Sequence, residues 1–203
     1  MPIVGKSLTC LELIDCKRRV YYVQGKILLS DAALEAIARN TGNLTSFSIV
    51  DSEITSAGLE RVLKANPSIA TLNLSYCDKL DDKAMSLISC HLPGLREFRC
   101  YWSTDRHGSF GGVRKDFWFN DDTLLALIKS QERESTDSCI PLGLVGILKR
   151  TNVTSKSLRY AMERGVSIEI DPDHNASLLN ELQVMDLEEA NMWTDLEIVS
   201  WRQ

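Results

Sequence analysis

Ile69-Ala70-Thr71-Leu72-Asn73-Leu74-Ser75-Tyr76-Cys77, followed by Leu80-Asp81-Asp82-Lys83-Ala84-Met85-Ser86-Leu87-Ile88, decides how the chain is read. In the first half, apolar residues at positions 1, 4 and 6 share one side of a short strand and the residues between them alternate outward. In the second half Leu80, Met85 and Ile88 form one apolar stripe behind an acidic first turn, as in a helix packed on one side. Neither half can bury its apolar side alone. Each strand–helix unit therefore needs a neighbour stacked against it.

The pattern recurs in both directions. Strand halves begin at Leu8 (with Leu11, Leu13 and Cys16), Leu44 (Phe47, Ile49), Ile69, Leu95 (Phe98, Cys100), Cys139 (Leu142, Leu144, Ile147) and Gly165 (Ile168, Ile170). These starts are 36, 25, 26, 44 and 26 residues apart, so two intervals carry insertions. Helix halves open at Leu29-Ser30-Asp31, Ile54-Thr55-Ser56, Leu80-Asp81-Asp82, Phe119-Asn120-Asp121 and Val153-Thr154-Ser155. Ser, Thr, Asp or Asn at such a start supplies the oxygen that caps unpaired backbone donors. The core residues expected behind them are Leu34, Leu59, Met85, Leu124 and Leu158.

These turns resemble cysteine-containing leucine-rich repeats, about 26 residues long, such as those of F-box receptors. Cys16 and Cys77 fall on the cysteine position of that motif, whereas Ser52, Ser103 and Ile147 depart from it. The resemblance spans residues 8 to 170. It implies a right-handed, ribonuclease-inhibitor-like α/β solenoid of about six strand turns, with a parallel sheet on the concave side and helices on the convex side. Residues 1–7 leave no room for an F-box ahead of the first strand, so the ubiquitin-ligase role is not expected to carry over whole with the repeats.

Composition and motifs narrow the function. The 203 residues suffice for one domain with a substantial core. No apolar run is long enough to span a bilayer, and Met1–Ser7 lacks the apolar stretch of a secretory signal. Five of the six cysteines (Cys10, Cys16, Cys77, Cys100, Cys139) lie in strand halves and Cys90 near a helix end, which reads as reduced core thiols. An intracellular protein is expected, cytoplasmic in preference to mitochondrial. The spacing needed for zinc, a Walker lysine, HExxH, GxSxG and a dinucleotide fingerprint are all missing, so neither enzyme, cofactor nor metal is expected. The paired acids Asp81-Asp82 and Asp121-Asp122 repeat at helix starts, where capping accounts for them.

Domain organisation follows from where the period breaks. Residues 1–170 form the solenoid, with insertions at 17–28 and 101–118. Residues 171–203 hold eight acids and one base, and read as an acidic helical cap or tail. Nucleic acid is then an unfavourable partner. The insertion 17–28 carries four bases and no acid, and suits a hairpin or an acidic contact. The insertion 101–118 holds five of the fourteen aromatics beside Arg106, Arg114 and Lys115. Aromatics next to arginine make interface anchors. The expected partner-binding set is therefore Arg99 and Tyr101 on the concave sheet with Trp102, Phe110 and Trp118 on the insertion, together facing a protein partner. An alternative is a permanent accessory subunit of a large assembly, mitochondrial (similar to ATP synthase subunit s-like proteins) or cytoskeletal.

Overall fold

A computed structural model describes residues 4–14, 29–50, 52–77, 79–101, 120–134, 142–147 and 153–170. After a 3-10 turn at Val4–Ser7 come β1 (Cys10–Leu13), α1 (Asp31–Asn40), β2 (Ser46–Ile49), α2 (Ser56–Ala65), β3 (Thr71–Asn73) and α3 (Asp82–His91). Then follow β4 (Glu97–Cys100), α4 (Asp121–Glu134), β5 (Leu144–Ile147), α5 (Ser155–Met162) and β6 (Ser167–Ile170). The six strands make one parallel sheet in chain order, and each helix packs on the next. This is an α/β solenoid of the leucine-rich-repeat type. A strand–helix–strand crossover of this kind is almost always right-handed.

All five helices begin at the residue the sequence marks. The caps differ in how they work. Thr55 accepts from the Gly58 amide, Asp81 from that of Lys83, and Asn120 from that of Thr123. Ser30 and Thr154 make no side-chain cap bond. Leu34, Leu59, Met85, Leu124 and Leu158 are all buried. Behind them Val62 and Leu63, Ile88, Leu127 and Ile128 complete the stripes at three- and four-residue spacing.

In the strands, the position-4 residues Phe47, Leu72, Phe98, Val145 and Ile168 are directly opposed from β2 to β6. They form the spine of the core. Leu44, Ile69, Leu95 and Leu142 flank it on one side and Ile49, Leu74 and Cys100 on the other, all buried. Leu8, Leu11 and Leu13 are only partly buried, since among the described residues β1 has a strand neighbour on one side alone.

Turn five corrects the expected register. Phe98 pairs with Val145 and Cys100 with Ile147, so the turn starts at Leu142 rather than Cys139. The apolar run through 142–148 satisfies the 1-4-6 pattern in more than one phase, and contact with β4 selects among them. Leu144 consequently faces outward, opposite Glu97 and Ser167, and Ile147 is a position-6 residue, not a displaced cysteine. Turn six keeps the expected register, with Ile168 paired to Val145 and Ile170 to Ile147, so Gly165 stands at position 1, just after α5. Its φ of 79° is the left-handed conformation that closes a helix, and the adjacent Val166 is buried in its stead. The sites Cys16, Ser103 and Cys139, all of the insertion 17–28, the insertion 101–118 beyond Tyr101, and 171–203 lie outside the described residues.

Polar side chains stitch turn to turn. Asp31 accepts from the Thr55 amide at 2.9 Å and its hydroxyl at 2.6 Å. Asp121 accepts from the Thr154 amide at 2.7 Å and its hydroxyl at 2.9 Å. The first acid of one helix thus holds the cap of the next. At the other helix ends, buried Asn66 accepts from the Leu44 amide and donates to the Thr41 hydroxyl and the Val62 carbonyl. Gln131 of α4 donates to the Leu92 carbonyl that ends α3. At the cysteine position, buried Ser52 lies 3.2 Å from the Cys77 sulfur one turn later, so hydroxyl and thiol share a hydrogen bond.

Burial opposes the Asp121 charge, but the bonds from Thr154 and Ser157 outweigh it and hold its carboxyl below the usual value. A depressed carboxylate pKa stabilises the fold above the unfolded-state value, and that contribution disappears as pH falls through the folded one. Asp121→Asn should therefore cost a few tenths to about 1 kcal/mol at pH 7. Urea unfolding at pH 7 and pH 3 should show the gap closing in acid; an equal gap at both would reject the linkage.

The thiols divide by position. Cys77 and Cys100 are buried and Cys10 and Cys90 exposed. The expectation of core thiols fails for Cys10 because it occupies an outward strand position opposite Ser46, and for Cys90 because it lies on the outer side of α3. Burial, and then nearby Cys77, push the Cys100 thiol well above its ordinary pKa. Alkylation read by mass spectrometry should modify Cys10 and Cys90 in the native protein, and Cys77 and Cys100 only in denaturant. Equal rates at all four would contradict the packing.

Candidate functional site

With the helices all on one side, the other face of the sheet is set by the residues between the core positions. The register orders them in rows. One row runs Cys10, Ser46, Thr71, Glu97, Leu144, Ser167, and the next Glu12, Ser48, Asn73, Arg99, Gly146, Glu169. The two rows change character together at β4. Small uncharged side chains over β2 and β3 give way to a charged and aromatic cluster over β4 to β6.

Arg99 is the centre of that cluster. Its Nη1 donates to Glu97 at 2.9 Å and its Nε to Glu169 at 3.1 Å, two strands away. The reach is made across Gly146, which lies between Arg99 and Glu169 in the register. A Cβ at position 146 would come within 2.9 Å of the Arg99 Cγ and 2.8 Å of the Tyr101 hydroxyl. The absent side chain lets both groups lie on the strand. Burial works against the Arg99 charge, but Glu169 and then Glu97 outweigh it and raise its pKa above the ordinary value.

Tyr101 follows β4. Burial first, and the Glu169 carboxylate second, push its phenol well above the usual pKa, so the hydroxyl stays protonated. That hydroxyl is buried without a hydrogen bond of good geometry among the described residues. The backbone of Tyr101 is pinned on both sides. Its amide donates to the Ser75 hydroxyl at 3.1 Å, and its carbonyl accepts from the Tyr76 amide at 2.7 Å. Ser75 in turn donates to Asn73 at 2.6 Å. Tyr76 has a φ of 60°, an uncommon conformation for a residue with a side chain.

Of the five expected binding residues, the structure brings Arg99 and Tyr101 together on the open face. Trp102, Phe110 and Trp118 lie outside the described residues. Sequence reasoning missed Glu169 and Gly146. A glycine within a strand is itself a signal of close approach, but Glu169 is 70 residues from Arg99. Arg99 also differs from expectation in its electrostatics, since its charge is already matched by two carboxylates. Among the described residues there is no group of three or more potential metal-binding side chains, and no helix is long and apolar enough to cross a membrane.

Gly146→Leu should displace Arg99 and Tyr101 together. The expected outcome is a loss of about 1–3 kcal/mol in urea unfolding, with a change in tyrosine near-UV dichroism. Unchanged stability and spectrum would mean that neither side chain rests on β5.

No protein-family model matches the chain. A stretch of 71 residues is 34% identical to the F-box protein FBW2 of Arabidopsis thaliana, covering 35% of this chain. The match spans only 22% of that relative's length. Among solved structures, the C-terminal domain of Caenorhabditis elegans tropomodulin is similar at 14% identity with a TM-score of 0.49, covering 88% of this chain and 90% of that domain.

Proposed function

We propose that the chain is a non-enzymatic protein-interaction module, working inside the cell, whose partner docks on the open face of the sheet. Tyr101 and the residues that follow it, Trp102, Phe110 and Trp118, supply the aromatic anchors. The observation that carries this reading is the Arg99–Tyr101 cluster. The hydroxyl end of a tyrosine lies over a glycine, its backbone pinned and its side chain held beside a neutralised arginine. Fixing an amphipathic ring before a partner arrives lowers the ordering cost of binding. The similarity to an F-box protein is consistent with this use of the fold. Arg99 serves mainly to position Tyr101 and to join β4 to β6.

Anchors of this kind dominate binding, and each truncation should weaken association by more than about 1–2 kcal/mol. The test compares Tyr101→Ala, Trp102→Ala and Trp118→Ala with Arg61→Glu on the helix side. Association with the protein that co-purifies from native cells is measured beside the unfolding midpoint. The expected outcome is loss of that protein from the sheet-face variants alone. A lowered midpoint with association intact in the folded fraction would make the rings structural and overturn the reading.

A further inference from the structure

The open face has a second region, beside the cluster. β2 and β3 present only short side chains there, Ser48, Thr71 and Asn73 among them, while β1 and β4 on either side carry Glu12 and Glu97. The floor is therefore two strands wide between two taller walls. Three strand spacings separate the walls, about 14 Å, room for one extended or helical segment. Both named wall residues are exposed enough to meet a ligand, Glu97 at 44%.

Two observations give the groove a chemistry. Ser48 lies between the inward residues Phe47 and Ile49, so its side chain points to the open face. It is only 9% exposed, and its hydroxyl has no hydrogen-bond partner among the described residues. A buried hydroxyl without a partner is costly, and a segment laid on the floor could supply a backbone group to it after a small adjustment. The second observation is charge. Among the described outward strand residues the acids are Glu12, Glu97 and Glu169 and the base is Arg99, already bonded to Glu97 and Glu169. An excess of carboxylate remains. At the end of the groove Ile14, 58% exposed, continues β1 toward the side where Tyr101 follows β4.

We propose that the groove over β2 and β3 takes a linear segment of a partner protein that presents lysine or arginine to Glu12 and Glu97 and one apolar side chain toward Ile14. The inference rests on the interaction reading above and names the partner's chemistry.

The probe is a fluorescein-labelled peptide alternating lysine and serine around one leucine, compared with its glutamate counterpart by anisotropy at low salt. The lysine peptide should bind roughly tenfold more tightly, the preference fading as salt is raised. Glu12→Lys with Glu97→Gln should abolish that preference, and Thr71→Trp, which fills the floor, should abolish binding. Asp82→Lys, on α3 away from the sheet, should leave it unchanged. Circular dichroism confirms that each variant is folded. Equal binding of both peptides, binding retained by Thr71→Trp, or an equal loss in Asp82→Lys would overturn the proposal. So would binding that emerges only after Lys17, Arg18 and Arg19 are changed to serine, since the chain's own basic segment would then be the occupant. If the lysine peptide shows no preference while the co-purifying protein is still lost from Tyr101→Ala, the partner chemistry is wrong and the interaction reading stands.

Discussion

Stacking in register is the constraint on which everything else depends. Phe47, Leu72, Phe98, Val145 and Ile168 line up from turn to turn, and the helix of a single turn could not bury them without the turns on either side. A strand of three or four residues is too short to be stable alone. Each is held because the turns on either side remove its apolar side from water and complete its backbone hydrogen bonds. A slip of one residue would exchange the core positions for the outward ones throughout the sheet. The polar bonds between helix starts, from Asp31 to Thr55 and from Asp121 to Thr154, act on the same relation from the rim. They add little buried area, but they fix how far one turn is shifted along the next.

That constraint explains which parts of the molecule were legible in sequence. Helix starts were legible because the capping residue and the first buried leucine are a few positions apart, so the information is local. The core of turns two to four was legible for the same reason. Turn five was not, because Leu142, Leu144, Val145 and Ile147 are all apolar and only Phe98, far away in the chain, chooses among their phases. Cys10 shows the complementary failure. Its type suits a core, but its place in the alternation puts it outside. The Arg99–Glu169 pair was illegible in principle, since a strand read alone gives no account of what lies two strands away.

The cluster on the open face is built by the same logic as the core. Gly146 contributes nothing to contact itself, yet its lack of a side chain lets β4 communicate with β6 across β5. Two partly buried carboxylates around one guanidinium are a mixed contribution to stability, because desolvation consumes much of the attraction. Their clearer effect is geometric. Arg99 is held at both ends, Tyr101 lies beside it, and the tyrosine's own backbone is bonded to Ser75 and Tyr76.

This arrangement changes what a positive residue on the sheet can mean. An arginine among aromatics is ordinarily the feature that draws an acidic partner. Here two acids of the same face hold it, and among the described outward strand residues the charge left over is negative. Recognition by this face would then divide into two tasks. Tyr101 would provide area that is ordered in advance, which would bear on how long a partner stays. The carboxylates of the walls would bear on which partner approaches and how fast, since exposed charges act chiefly on the encounter. The short side chains between them admit a backbone close to the sheet and specify little else. A face composed this way would separate affinity from selection, and each could vary by substitution on a different strand without disturbing the spine beneath.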